Sequence, residues 1–381
     1  MTYLDNAATS WPKPEVVYKA VEDCMRIAGA NPGRSGHRLS LEAGRILESA
    51  RTALARLLHV EDASRIALTF NATDAINMAL KGILKPGEHV VTSAMEHNSV
   101  MRPLCSLALA GKLHLTVAGA DSAGLVTPDR ILSALRHNTK LVVLTHASNV
   151  VGTVNPIEDI GAALREKGVY FLVDAAQTVG VLPLDLSSLK VDLLAFSGHK
   201  GLLGPQGTGG LYVRPGIHLD PWREGGTGSH SDLLLQPDSM PERLEAGTHN
   251  TPGFAGLAAG VRYLLEIGVD TVRTRDRELR QVLCSYLSQI PGVSVFGPSR
   301  ADNAIGVVSF NIDGVDPSDV AYRLDTEYGI MVRPGLHCAP GAHRTIGTFP
   351  QGTVRMSLGI FTTMDDLKRA RDAVAEVSRC P

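Results

Sequence analysis

The spacing of apolar positions changes along the chain. Over residues 15–28 Val17, Val21, Cys24 and Ala28 recur every three or four positions, which predicts a helix. A second stripe, Leu47, Ala50, Leu54 and Leu57, predicts a long helix over 41–58, and the segment from Asn31 to Gly36 between them reads as a loop. From residue 65 onward short apolar runs alternate with helical stripes. Strands are predicted over 65–70, 89–93, 113–117, 140–145 and 169–173, and helices over 73–84, 97–110, 128–135 and 157–167. Two more apolar runs, 189–196 and 210–213, read as strands with little helix between them. Such alternation predicts βαβ units, and so a mostly parallel sheet flanked by helices on both faces. In sheets of this kind ligands collect at the carboxyl ends of the strands.

Beyond residue 260 the pattern becomes helix-rich. Helix-rich sequence runs over 261–290, then a strand is predicted over 306–312, a helix over 318–328, short strands around Met331 and Val354, and a closing helix over 364–377. The expected organisation is a large α/β domain over 15–260 and a smaller α+β domain built from 1–14 and 261–381. Length agrees, since 381 residues exceed the ~250 to 300 that a single core supports.

Composition narrows the partners. A hydrophobic fraction of 44% with 20% charged residues marks a folded globular chain. The net charge of −2, without a basic run, argues against nucleic acid or a membrane surface as main partner and favours a small-molecule substrate. No run of about 18 apolar residues predicts a membrane span, and the N-terminus lacks a charged leader with an apolar stretch. Cys24, Cys105, Cys284, Cys338 and Cys380 are odd in number and irregularly spaced, as expected of reduced thiols, so a cytoplasmic location is expected. The 13 histidines show no metal-ligand spacing, so no metal is expected.

Candidate chemistry gathers at predicted strand ends. Lys200 follows Ser197-Gly-His at the end of the 189–196 run, with glycines at 201 and 204. Alone it reads as a lysine reaching to solvent, but a poorly hydrated amine has the depressed pKa that a Schiff-base lysine needs. Asp174 ends the preceding apolar run, and pyridoxal phosphate enzymes pair such a lysine with an acid that keeps the ring nitrogen protonated. Thr73, just after a strand and at a helix start, is either a phosphate handle or a plain cap. His97 is either a ring stacked on a cofactor, acting as acid or base, or a histidine that merely starts a helix. Asn149 either bonds a cofactor oxygen or caps a turn. Arg355 suits bidentate capture of a carboxylate, or a structural ion pair. Cys338 sits among prolines and glycines in Arg333-Pro-Gly-Leu-His-Cys-Ala-Pro-Gly341, which favours an exposed, reactive cysteine over an inert core one.

Taken together, Tyr3-Leu-Asp-Asn-Ala-Ala-Thr9, Val173-Asp-Ala-Ala-Gln177, Ser197-Gly-His-Lys200, Glu245-Ala-Gly-Thr-His-Asn-Thr251 and Leu336-His-Cys-Ala339 resemble the cysteine desulfurase and selenocysteine lyase branch of the class V aminotransferase-fold enzymes. The resemblance covers essentially the whole chain and implies fold type I and the cofactor pyridoxal 5'-phosphate. It implies that Lys200 holds the cofactor, Asp174 its pyridine nitrogen and Gln177 its phenolic oxygen, while His97 stacks over the ring. Ala72, Thr73, Ser197 and His199 would bind the phosphate, joined by Thr248 from the second subunit of a homodimer. Asn149, which would also touch the cofactor, Arg355, Arg333 and Asn6 would bind the amino acid substrate. Lys200 would remove the α-proton and Cys338 would accept sulfur from L-cysteine, leaving L-alanine and a persulfide. Selenocysteine lyase and a class V aminotransferase or other lyase are the alternatives within the fold. A sulfur-relay scaffold with little catalysis would need neither Lys200 nor Cys338. The Cys338 loop is short and continues into an unusual run over 342–349, unlike the long mobile loop of the housekeeping iron-sulfur desulfurases. A persulfide there travels little, so either a sulfur-acceptor protein comes to the site or the product is released otherwise.

Overall fold

The computed structural model describes residues 1–33, 36–229 and 231–379. Arg34 and Ser35 of the predicted loop, and Cys380, lie outside the described residues. Strand β1 (Thr2–Tyr3) precedes helices α1 (Glu15–Ile27) and α2 (Arg38–Leu57). An alternating run follows: β2 (Ile66–Thr69), α3 (Ala72–Ile83), β3 (His89–Ser93), α4 (Asn98–Leu109), β4 (His114–Ala118), α5 (Pro128–Ser133), β5 (Thr139–Thr145), α6 (Ile157–Glu166) and β6 (Tyr170–Asp174). Strands β7 (Leu193–Ser197) and β8 (Gly209–Val213) complete a seven-stranded sheet of order β2-β8-β7-β6-β5-β3-β4. Only β8 runs against the others.

The period-two rule shows directly in the packing. Val142 and Leu144 of β5 face one core with α2 and α6, whereas Leu141 and Val143 face the opposite core with α3. Both faces are covered, which is why these strands read as unbroken apolar runs.

Helices α7 (Thr251–Ile267) and α8 (Val269–Ser288) lead to β9 (Val293–Phe296), β10 (Val307–Ile312), α9 (Pro317–Tyr328), β11 (Ile330–Met331), β12 (Arg333–Gly335), α10 (Pro340–Thr345), β13 (Thr353–Ser357) and α11 (Met364–Arg379). Strands β12-β13-β10-β9 form a second, wholly antiparallel sheet, and β1 pairs with β11. The helix-rich stretch predicted over 261–290 holds two helices, because Gly268 adopts φ +82°, a left-handed conformation that separates α7 from α8. Val261, Leu264 and Val272, either side of this break, pack into the core of the large sheet, whereas Leu279, Leu283 and Leu287 pack under the small one. The strand predicted over 189–196 begins only at Leu193, since Asp185 turns the preceding residues by accepting from the Ser187 amide.

Candidate active site

A cavity of about 300 Å³ opens where the carboxyl ends of the large sheet meet β12 and β13. Lys200, Asp174, Gln177, His97, Asn149 and Ser197 all line it, as do Ala72, Thr73, His199, Arg333 and Arg355. Residues from five strand ends and the small sheet thus converge on one space.

The lysine and the aspartate form its charged centre. Poor hydration pulls the Lys200 amine down to about 8, with Asp174 acting upward and Arg355 and Arg333 downward. Asp174 is buried at the end of β6; burial raises its carboxyl above the usual value, opposed by the Ala176 amide donated to Oδ1 at 3.0 Å and by Lys200. Gly201 is required by a close approach: a Cβ there would lie 2.5 Å from the Val179 carbonyl oxygen. That contact fixes the turn in which Lys200 sits.

At one end the cavity reaches the start of α3. Asn71 caps this helix by accepting from the Asp74 amide at 2.9 Å, and the Ala72 amide donates to Ser197 Oγ at 3.0 Å. His199 stands beside them with a buried Nδ1 that has no partner among the described residues. Burial, then Lys200 and Lys13, keep its ring pKa near about 4. Such a set of amides, hydroxyls and a ring nitrogen suits an anion.

His97 caps α4, and its protonation follows from geometry. The Ser99 amide can only donate, and it points at Nδ1 from 3.0 Å, so the ring proton sits on Nε2. Burial, followed by Lys200 and three arginines, pushes the ring down to about 4. His97 therefore faces the cavity as a neutral ring with an N–H to give.

Opposite lies an arginine pair. Arg333 and Arg355 are directly paired across β12 and β13, an arrangement of like charges that favours an anion nearby. Arg355 is 1% exposed; its guanidinium donates to Asp5 Oδ1 at 2.6 Å and to the Asn149 carbonyl at 3.0 Å, leaving Nε buried without a partner among the described residues. The ion-pair alternative for Arg355 is thus present in fact, with Asp5 as partner. Asn149 directs its own amide to the His337 carbonyl at 2.7 Å. Cys338 is exposed, with Sγ 3.6 Å from an Arg333 nitrogen, and it lies within electrostatic reach of Lys200 and Arg355.

The family model for class V aminotransferases matches residues 2–370. The chain belongs to this family. A probable cysteine desulfurase of Methanothermobacter thermautotrophicus is 36% identical over 99% of this chain and 94% of that protein. One of Pyrococcus abyssi is also 36% identical, over 96% of this chain and 91% of its own length. Among solved structures, the apo cysteine desulfurase of Thermococcus onnurineus superposes with a TM-score of 0.93 at 33% identity, covering 99% and 94% of the two chains. The Escherichia coli cysteine desulfurase in an S-sulfonic acid form gives 0.89 at 28%, again with 99% and 94% covered. The α/β architecture is that of fold type I in this class V chain, as the sequence predicts.

Three predicted site residues do not line this cavity: Cys338, which stands exposed beside Arg333, Asn6 and Thr248. Asn6 lines a neighbouring cavity that shares Lys200, Gln177 and Ala7 with the first, and its amide donates to the Ser357 carbonyl at 3.1 Å. Thr248 is exposed and outside the cavity. Sequence reasoning missed Asp5 and Glu96. Asp5 lies inside the quoted motif Tyr3-Leu-Asp-Asn-Ala-Ala-Thr9, which was the available signal, whereas Glu96 stands next to His97 but in no quoted motif.

Proposed function

We propose that this class V chain is a pyridoxal phosphate-dependent cysteine desulfurase that converts L-cysteine to L-alanine and leaves a persulfide on Cys338. The observation that carries it is the convergence, in one cavity, of a desolvated Lys200, a buried Asp174 and an arginine pair, with Cys338 exposed beside Arg333. The naming of the full-length relatives supports the same reading.

The donor set fits the cofactor. The partnerless His199 Nδ1, Ser197 and the start of α3 suit its phosphate, and Asp174 suits a protonated ring nitrogen. When bound, the cofactor supplies an electron sink for charge developing at the substrate α-carbon. The chain's own residues do the rest. Arg355 and Arg333 hold the substrate carboxylate. Lys200 Nζ, with a pKa of about 8, takes the α-proton near neutral pH. His97 offers its Nε2 proton toward the reacting groups. Cys338 Sγ bonds to the substrate sulfur as the Cβ–S bond breaks; that bond's electron pair stays with Cβ, which takes up a proton. Return of the α-proton from Lys200 completes alanine, so the sulfur remains as the outer atom of the Cys338 persulfide.

We further read the chain as a cytoplasmic homodimer that hands its sulfur to an acceptor protein. The exposed position of Thr248 supports a reach toward a second subunit, and among the described residues Cys24, Cys105, Cys284 and Cys338 are free thiols. Among the described residues no helix is long and apolar enough to cross a membrane.

The test is direct. Purified protein should be yellow and lose its colour with borohydride, and Lys200→Ala should abolish both the bleaching and alanine formation. Cys338→Ala should keep the colour but lose sulfide and alanine production from L-cysteine by at least ~100-fold. Full turnover by Cys338→Ala with a thiol reductant, or a marked preference for selenocysteine, would sink the desulfurase assignment.

A further inference from the structure

Beneath Cys338 lies a buried polar chain that the proposed chemistry does not use. His337 and His343 are 2% and 0% exposed, with rings stacked 5.3 Å apart. His337 Nε2 lies 3.0 Å from the Arg333 carbonyl oxygen, His337 Nδ1 lies 3.2 Å from His343 Nε2, and His343 Nδ1 lies 2.7 Å from Thr348 Oγ1.

One carbonyl fixes every proton along this chain. A carbonyl can only accept, so His337 carries its proton on Nε2 and donates it to Arg333. Burial keeps both rings neutral, pushing His337 down to about 3 and His343 to about 4. His337 Nδ1 is then a bare lone pair that must accept from His343 Nε2–H. His343 Nδ1 is bare in turn and accepts the Thr348 hydroxyl. The chain runs one way, from Thr348 through His343 and His337 to Arg333, and each link satisfies a buried polar atom.

What it supports is an unfavourable turn. His337 and Cys338 have φ values of 49° and 58°, two consecutive side-chain-bearing residues in the left-handed region. On the cavity side their carbonyls are already gripped: Asn149 Nδ2 donates to the His337 oxygen at 2.7 Å, and the Asn98 amide donates to the Cys338 oxygen at 2.7 Å. The histidine chain grips the first of these, His337, from the core side. It ends on Arg333, whose guanidinium stands 3.6 Å from Cys338 Sγ.

We propose that His343 is a positioning residue for Cys338: the chain Thr348–His343–His337–Arg333 locks the left-handed turn and so holds the sulfur-accepting thiol against the Arg333 guanidinium at the cavity mouth. The proposal deepens the desulfurase reading and rests on it for the role of the thiol. A persulfide held this way is handed only to an acceptor that reaches the mouth, since the turn cannot swing out to meet one.

Nitrogen-detected NMR of histidine-labelled holoenzyme near neutral pH should show both rings as neutral Nε2–H tautomers. A charged ring or an Nδ1–H form at either position overturns the chain, whatever the protein catalyses. His343→Phe cuts the chain, whereas His343→Gln keeps a donor at the Nε2 position. Alkylation of Cys338 by iodoacetamide should differ at least about three-fold between His343→Phe and wild type and return with His343→Gln. Equal rates in all three overturn the proposal even if the wild type forms no persulfide, an outcome that separately overturns the desulfurase reading. Where persulfide forms, His343→Phe should lower kcat about ten-fold with KM for L-cysteine unchanged, and His343→Gln should recover most of it. Should His343→Phe fail to fold, Thr348→Val against Thr348→Ser poses the same contrast at the chain's far end, and equal kcat in those two overturns the proposal.

Discussion

Glu96 shows what a single buried group does at the edge of the site. Its side chain is 1% exposed; Oε1 accepts from Ser93 Oγ at 2.6 Å and from the Thr145 amide at 3.0 Å, tying the end of β3 to the end of β5. Burial, aided by Asp174 and opposed by these hydrogen bonds, pushes its pKa from 4.5 up to about 8. The native state therefore keeps a proton that the unfolded chain releases above 4.5, and stability falls as pH rises from there to about 8. Glu96→Gln keeps the shape and the accepting oxygen but never ionises. Its melting temperature should exceed wild type by a margin that widens from pH 5 to pH 8, reaching about 5 °C or more. A constant margin in thermal scans across that range would refute a neutral Glu96. Lys200 and Asp174 were legible in the sequence because both end apolar strands, where this fold places its ligands. Glu96 was not, because its burial depends on Ser93 and Thr145 rather than on any pattern around it.

At the scale of elements, one buried ion pair ties α2 and β2, which share a hydrophobic core, to the segment before α7. Arg51 of α2 donates to Glu245 Oε1 at 2.7 Å and to the Ile66 carbonyl, while the Leu68 amide of β2 donates to the same carboxylate oxygen at 2.6 Å. Burial alone would raise the Glu245 pKa, but Arg51 and His249 bring it down to about 2. The stabilisation is thus complete above 4.5 and lost as pH falls toward about 2. Arg51→Ala strands a carboxylate among buried neighbours and should lower unfolding free energy by roughly 3–5 kcal/mol in urea titrations at neutral pH. Replacing both partners, Arg51→Met with Glu245→Met, should recover most of that loss, and equal losses would show that packing rather than charge decides. The alternation of β2 through β6 was readable because short, fully apolar strands and amphipathic helices have different periods. The break at Gly268 was not, since an apolar stripe continues on both sides of it. Strand β9 was missed because it is only four residues long and none of them is fully buried.

At the scale of the molecule, the site depends on the N-terminal segment that joins the two sheets. Leu4 packs in the small core, the Ser10 amide donates to the His199 carbonyl at 3.0 Å, and the Gln177 side chain donates to the Ala7 carbonyl at 3.0 Å. Arg355 closes this joint through Asp5, 350 residues away in sequence, a separation at which no spacing rule operates. One guanidinium meets Asp5 and the Asn149 carbonyl while its buried Nε still lacks a partner, and that spare donor, with Arg333 opposite, is what a substrate carboxylate would use. A lysine keeps the charge but presents one compact ammonium that cannot serve three acceptors in fixed directions. Arg355→Lys should therefore raise KM for L-cysteine about ten- to a hundred-fold, with a smaller fall in kcat, in a steady-state assay of alanine release. The split between the constants decides the role. A kcat loss with KM unchanged would assign Arg355 to holding the joint through Asp5 alone, and it would leave Arg333 as the residue that receives the carboxylate.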